Sequence, residues 1–373
     1  MKLPPFALER WFARYEFSVR HLLCASDCES MSVAELLALE PGSGERFLEL
    51  RLGYTESPGG ASLRREIARL YDSMAPENIL VFAGAQEAIF LLMQADLELG
   101  DHAVVHWPCY QSLHEVAHGI GARVTPWRAR EENGWALDPG ELPGLLTPAT
   151  KLIVLNTPHN PTGGHMDGDA FRETVRTAES RGIRLFSDEV YRGLEYGPSD
   201  RLPAACDLGE RTVSLGVMSK TWGLAGLRIG WVATRDAALL SRMAALKDYT
   251  TICCSGPGEF LAELALRHRE GIAGRNRRII AGNLALLDAF FARHADRFSW
   301  RRPAAGPIAF PRLLGGDVAE FCDSLVRQSG VLLLPGTVYD DAGNHFRVGF
   351  GRADMPEALS HLEEHLGRKS APM

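Results

Sequence analysis

Apolar residues along this chain follow two patterns. Short continuous runs recur at 79–82, 103–105, 152–155, 183–186, 213–215 and 229–232, several of them rich in β-branched residues. They do not alternate with polar positions, which is the pattern of strands covered on both faces. Between them, stretches such as 85–94 and 168–180 place apolar residues at three- and four-residue steps, as amphipathic helices do. Strand and helix in turn predict a mostly parallel α/β sheet sandwiched by helices.

After Pro257 the texture changes. A helical pattern runs from 259 to about 293, irregular segments rich in Pro and Gly follow, and 355–366 reads as a final amphipathic helix. The pattern predicts a large domain over 46–270 and a smaller α/β domain over 271–373, with residues 1–45 too short to fold alone and packed on the smaller one. No linker or repeat separates the parts, so the boundary near 270 is expected to be a packed junction.

With 373 residues and 46% apolar content, the chain can bury a large core. The net charge of −7 and the lack of a dense Lys/Arg run argue against nucleic acid as a partner. No window approaches the roughly 20 apolar residues of a membrane helix. The opening MKLPPFALERWFARYEF lacks the basic start and unbroken apolar core of a secretory signal, so the expected location is cytoplasmic. Seven cysteines without CxxC spacing predict free thiols.

Ligands of open α/β sheets bind beyond the carboxyl ends of the strands. Behind the successive runs stand Gly84-Ala85-Gln86, then Tyr110, then Asn160 within Asn156 to Gly163, then Asp188 and Tyr191, then Ser219-Lys220, with Arg228 eight residues on. A partly desolvated lysine beside an arginine has a depressed amine pKa, the condition for forming an imine with an aldehyde. If that aldehyde is pyridoxal 5′-phosphate (PLP), a carboxylate such as Asp188 keeps its ring nitrogen protonated. Tyr191 and Asn160 can donate to its phenolic oxygen. Backbone N–H groups at Gly84, Ala85 and Gln86, with Arg228, suit the phosphate, and Tyr110 can stack on the ring.

The strings Asn160-Pro161-Thr162-Gly163, Asp188-Glu189-Val190-Tyr191 and Ser219 to Gly230 resemble the signature of class I/II aminotransferases, which are fold-type I PLP enzymes. Gly53-Tyr54-Thr55 and Phe346-Arg347-Val348-Gly349 extend the resemblance over about 45–352. It implies Lys220 as the Schiff-base lysine and general base, Arg347 as a two-pronged clamp on the substrate carboxylate, and Tyr54 reaching the phosphate of a neighbouring subunit in a homodimer. One position departs: many relatives carry a phosphate-binding hydroxyl residue three before the lysine, where this chain has Val217, leaving Ser219 as the candidate substitute. The implied reaction is ping-pong transfer of an amino group from an α-amino acid to a 2-oxo acid.

The stretch Leu3 to Leu36, with Leu8 to Trp11 and Ser26-Asp27, resembles capreomycidine synthase-like members, which use PLP for elimination and ring closure on a hydroxylated arginine. A PLP lyase or cyclase therefore stays open, as does an idle PLP-binding domain. Arg14, Glu16 and Arg20 remain equal candidates for reading a substrate side chain. His361-Leu362-Glu363-Glu364-His365 fits an inverted zincin pattern but is read as a solvated helix face, and no metal is expected.

Overall fold

The computed structural model describes residues 2–341 and 343–368. Seven strands form the central sheet: β1 (Ile79–Phe82), β2 (His102–Trp107), β3 (Arg123–Arg128), β4 (Thr150–Asn156), β5 (Arg184–Asp188), β6 (Thr212–Val217) and β7 (Gly230–Ala233). Their spatial order is β1-β7-β6-β5-β4-β2-β3. All run parallel except β7, which is antiparallel to both of its neighbours. Successive residues serve opposite faces. Val105, Val154 and Phe186 enter one core, whereas Val104, Ile153 and Leu185 enter another, which explains why the runs are apolar throughout.

Five of the six parallel strands coincide with apolar runs, and β3 does not. Its sequence, RVTPWR, mixes exposed, half-buried and buried positions and contains Pro126. As an edge strand it needs only one hydrogen-bonded neighbour, so it tolerates the proline and needs no continuous apolar run. The expected helix over 259–293 is also two helices, Gly256–Arg267 and Arg269–Arg293. The break falls at His268, with φ −105° and ψ 19°.

The amino-terminal segment packs on the carboxyl-terminal part of the chain. Helix α1 (Ala7–Tyr15) is anchored by Trp11, whose Nε1 donates to the Leu333 carbonyl at 3.1 Å, and by the Tyr15 hydroxyl on Asp323 at 3.1 Å. The short strand His21–Leu22 then pairs parallel with Val331–Leu332. Leu23 accepts from the Gly349 N–H at 2.8 Å. A Cβ at Gly349 would come within 1.8 Å of the Ala25 carbonyl oxygen, so only glycine lets the two segments cross this closely. The seven cysteines are free. Near the carboxyl end, His361 stacks on His21 while His365 bonds Ser329, so the two histidines of the HxxEH string serve different neighbours. Among the described residues, no helix is long and apolar enough to cross a membrane.

Candidate active site

A cleft of about 400 Å³ opens at the rim of the sheet. The strand directions deliver its lining. β4 ends at Asn156 and β5 at Asp188, and Ser219 and Lys220 stand two and three residues after the end of β6. β7 runs the other way, so its first residue, Gly230, lies opposite Phe82 and Val217, and Arg228 just before it arrives at the same rim. Ala85, Gln86, Tyr110, Asn160, Asp188, Tyr191, Ser219, Lys220, Arg228 and Arg347 all line this one cleft.

Lys220 Nζ donates to Ser26 Oγ at 2.8 Å, a residue brought in by the amino-terminal segment. Burial is the main cause of the lowered Lys220 pKa; Asp27 and Asp188 oppose it, and the nearby cation that adds to it is Arg347. Arg228, expected beside this amine, is not among the leading causes of the shift. Asp188, 5% exposed, accepts the Val190 N–H at 3.2 Å, and burial pushes its carboxyl up to about 7. Asn156, which the sequence reading passed over, positions two others: its Nδ2 donates to the Asp188 carbonyl at 3.0 Å, and its Oδ1 accepts the Asn160 N–H at 2.7 Å.

Arg347 is 1% exposed and departs from a free two-pronged clamp. Its Nε and Nη2 donate to the Cys24 carbonyl at 3.1 and 2.8 Å, and its Nη1 donates to Asn160 Oδ1 at 3.1 Å and Tyr339 Oη at 2.5 Å. Four of its five N–H groups are engaged, so gripping a carboxylate twice requires one of these partners to give way. Tyr110 lines the cleft, packs its ring on Phe6 at 4.9 Å and donates its hydroxyl to Glu9 at 3.1 Å. Tyr54 lies outside the cleft and is 92% exposed. Of the three side-chain candidates only Glu16 lines the cleft; Arg20 borders a different depression, beside His361.

Ser26, Asp27, Tyr339 and Arg352 were not foreseen as site residues. Arg352 holds Asp27 by two bonds, at 3.0 and 2.9 Å, across a sequence separation of 325. No local pattern marks such contacts. The Ser26-Asp27 pair was visible only as part of a resemblance.

The residues present fit a pyridoxal phosphate. Lys220 is an amine at the rim. Asp188 is a buried carboxylate that a cationic ring nitrogen would satisfy. Tyr191 Oη, in a side chain only 1% exposed, lies beside Ser26 and meets no partner in good hydrogen-bond geometry among the described residues. Helix α2 (Ala85–Asp96) opens toward the cleft with the unsatisfied N–H groups of its first turn. Gly84 precedes it at φ +94°, and a Cβ there would meet Arg228 Nη2 at 2.6 Å. Glycine thus allows the guanidinium to lie against the helix start, concentrating positive charge where a phosphate binds.

A rim lysine facing a buried aspartate in this frame defines a fold-type I PLP enzyme. The chain belongs to the aminotransferase class I and II family, whose family model matches residues 45–362. It is 31% identical over 372 residues to capreomycidine synthase of Streptomyces vinaceus, covering 98% of this chain and 94% of that one. The structure of a PLP-dependent aminotransferase from Streptococcus suis 89-1591 matches it with a TM-score of 0.93 at 32% identity over 100% of both chains. That of the PLP-dependent cyclase OrfR matches with a TM-score of 0.91 at 30% identity over 99% of each. Pyridoxal 5′-phosphate is the cofactor.

Proposed function

We propose that this chain is a PLP-dependent aminotransferase that moves the amino group of an α-amino acid to a 2-oxo acid in two half-reactions at one cleft. The observation that carries this reading is the convergence of Lys220, Asp188, Tyr191, Asn160 and Arg347 on a single cleft. The cofactor, when bound, supplies an electron sink for the pair released at the substrate Cα. Lys220 holds it and then, as a free amine, takes the Cα proton at Nζ. Asp188 holds a proton at the ring nitrogen, and Tyr191 and Asn160 donate to the phenolic oxygen. Ala85, Gln86, Ser219 and Arg228 hold the phosphate. Arg347 fixes the carboxylate and so orients the Cα–H bond.

A second reading, a lyase or cyclase built on the same lysine, is favoured by one observation. Ser26 places a hydroxyl on Lys220 Nζ, a second proton carrier that the amino-terminal segment contributes. The names of the synthase and cyclase relatives agree with it.

We also read the chain as a homodimer. Tyr54 (92% exposed), Leu52 (85%) and Tyr249 (91%) are large side chains left in the open, on two segments tied by Thr55 Oγ1 on the Cys254 carbonyl at 2.8 Å.

The test is to incubate the loaded protein with a panel of amino acids, with and without a 2-oxo acid. One-for-one exchange of amino donor and acceptor is expected. Ammonia release or ring closure with no acceptor consumed would establish the second reading instead. Lys220→Ala is expected to abolish the visible absorbance of the lysine-linked cofactor and to cost at least about 10³-fold in rate.

A further inference from the structure

We infer that helix α3 (Ser112–Ile120) carries a binding site for a divalent transition-metal ion of the zinc type, held by His114, Glu115 and His118. None of the three lines the cleft, so the site stands apart from the reaction proposed there.

The string His114-Glu115-Val116-Ala117-His118, which the sequence reading passed over, has the H-E-x-x-H spacing that puts two imidazoles on one helix face a single turn apart. A carboxylate comes with them. Glu115 Oε1 lies 3.5 Å from His114 Nδ1, and its Oε2 lies 3.8 Å from His118 Nδ1. One ligand atom from each residue falls within 4.8 Å of the other two. Such separations are long for hydrogen bonds. They approach the ligand-to-ligand edge of a tetrahedral zinc site, about 3.3–3.4 Å for bonds of about 2.0–2.1 Å. The two rings stand at 83° with centroids 5.9 Å apart, an arrangement in which their in-plane lone pairs can meet at one ion. The other group of this kind, His21, Glu357 and His361, lacks that property: its two rings stack at 26°, so their lone pairs point past each other.

His114 supplies the independent observation. It is 4% exposed, and its Nδ1 has no hydrogen-bond partner among the described residues. A buried ring nitrogen left unsatisfied is costly, and a bound ion satisfies it. Burial, with His118 beside it, holds the His114 pKa down to about 4, so near neutral pH the ring is uncharged and its contact with Glu115 is not an ion pair. The ring is also held in place, edge-on against Trp107 at 4.8 Å. His118 is exposed, which leaves water free to complete the coordination. Two imidazoles and one carboxylate suit zinc, copper or nickel; magnesium and calcium take sets of oxygens. With its carboxylate between both rings, Glu115 acts as a ligand and not as the general base of a hydrolytic H-E-x-x-H site.

The test is equilibrium dialysis of the cofactor-loaded protein against a series of Zn²⁺ concentrations, with metal counted per chain. His118→Ala and Glu115→Gln alter side chains that reach solvent, and persistence of the visible absorbance of the loaded protein shows that both variants fold. The wild type is expected to hold a Zn²⁺ that either variant loses or binds at least about tenfold more weakly, as removal of one arm of a chelate requires. No binding by the wild type at millimolar Zn²⁺, or equal binding by the wild type and both variants, would overturn the inference. Loss of the ion in His361→Ala with retention in His118→Ala would place it at the carboxyl-terminal histidines and overturn the inference as well.

Discussion

Asp188 illustrates how one side chain ties cofactor to stability. Its carboxyl, lifted by burial to about 7, stands well above the ordinary value of about 3.9. The folded, cofactor-free chain therefore binds a proton there that the unfolded chain has released at neutral pH. Stability from this group is full below about pH 4 and is lost as pH rises through about 7. Between pH 5.5 and 8, cofactor-free wild type should lose stability relative to Asp188→Asn, by on the order of a few kcal/mol across the interval. Urea unfolding at several pH values measures this. Parallel pH dependences for the two proteins would contradict it. In the loaded protein a cation opposite the carboxylate removes the reason for protonation, and the two curves should run closer together. Arg347→Lys is a separate test at this scale. Loss of the planar fork should raise the KM for amino acids by about 10- to 100-fold and leave the visible absorbance of the loaded protein in place.

At the scale of elements, the critical junction is the start of α2, where Gly84 lets the Arg228 guanidinium pack against the turn. Gly84→Ala combines a left-handed backbone with a side-chain collision. It should cost about 1–3 kcal/mol in urea unfolding and weaken cofactor binding at least tenfold by equilibrium titration. Unchanged binding would separate this turn from the phosphate. This junction was legible in the sequence because strand, turn and helix adjoin there. The same holds for Asp188, Tyr191 and Lys220, each of which follows an apolar run. What could not be read depended on distant partners. β3 borrows its order from one neighbour, so Pro126 and the polar positions around it hide it. Arg352 matters through Asp27, and Ser26 through Lys220, 194 residues away. Tyr339 matters because it occupies Arg347. Local periodicity carries no trace of such meetings.

For the whole molecule, the exposed surface of Leu52, Tyr54 and Tyr249 carries the dimer reading. Sedimentation of the wild type at twice the 41.0 kDa chain mass is expected, and Leu52→Asp/Tyr249→Asp should sediment as single chains. A wild type that sediments as single chains at full activity would exclude the reading. If Tyr54 reaches a neighbour's phosphate, the single-chain variant should also bind cofactor more weakly, although its own cleft is untouched.

The parallel pairing of His21–Leu22 with Val331–Leu332 has a consequence for how the molecule is made. Arg347 and the Cys24 carbonyl it grips are 323 positions apart. During synthesis Leu23 and Cys24 stay without these partners until residues 331–349 have been translated. A contact across so long a loop carries a high closure entropy. The cleft around Lys220 is therefore complete only once the segment that carries Arg347 and Arg352 has joined the amino-terminal one.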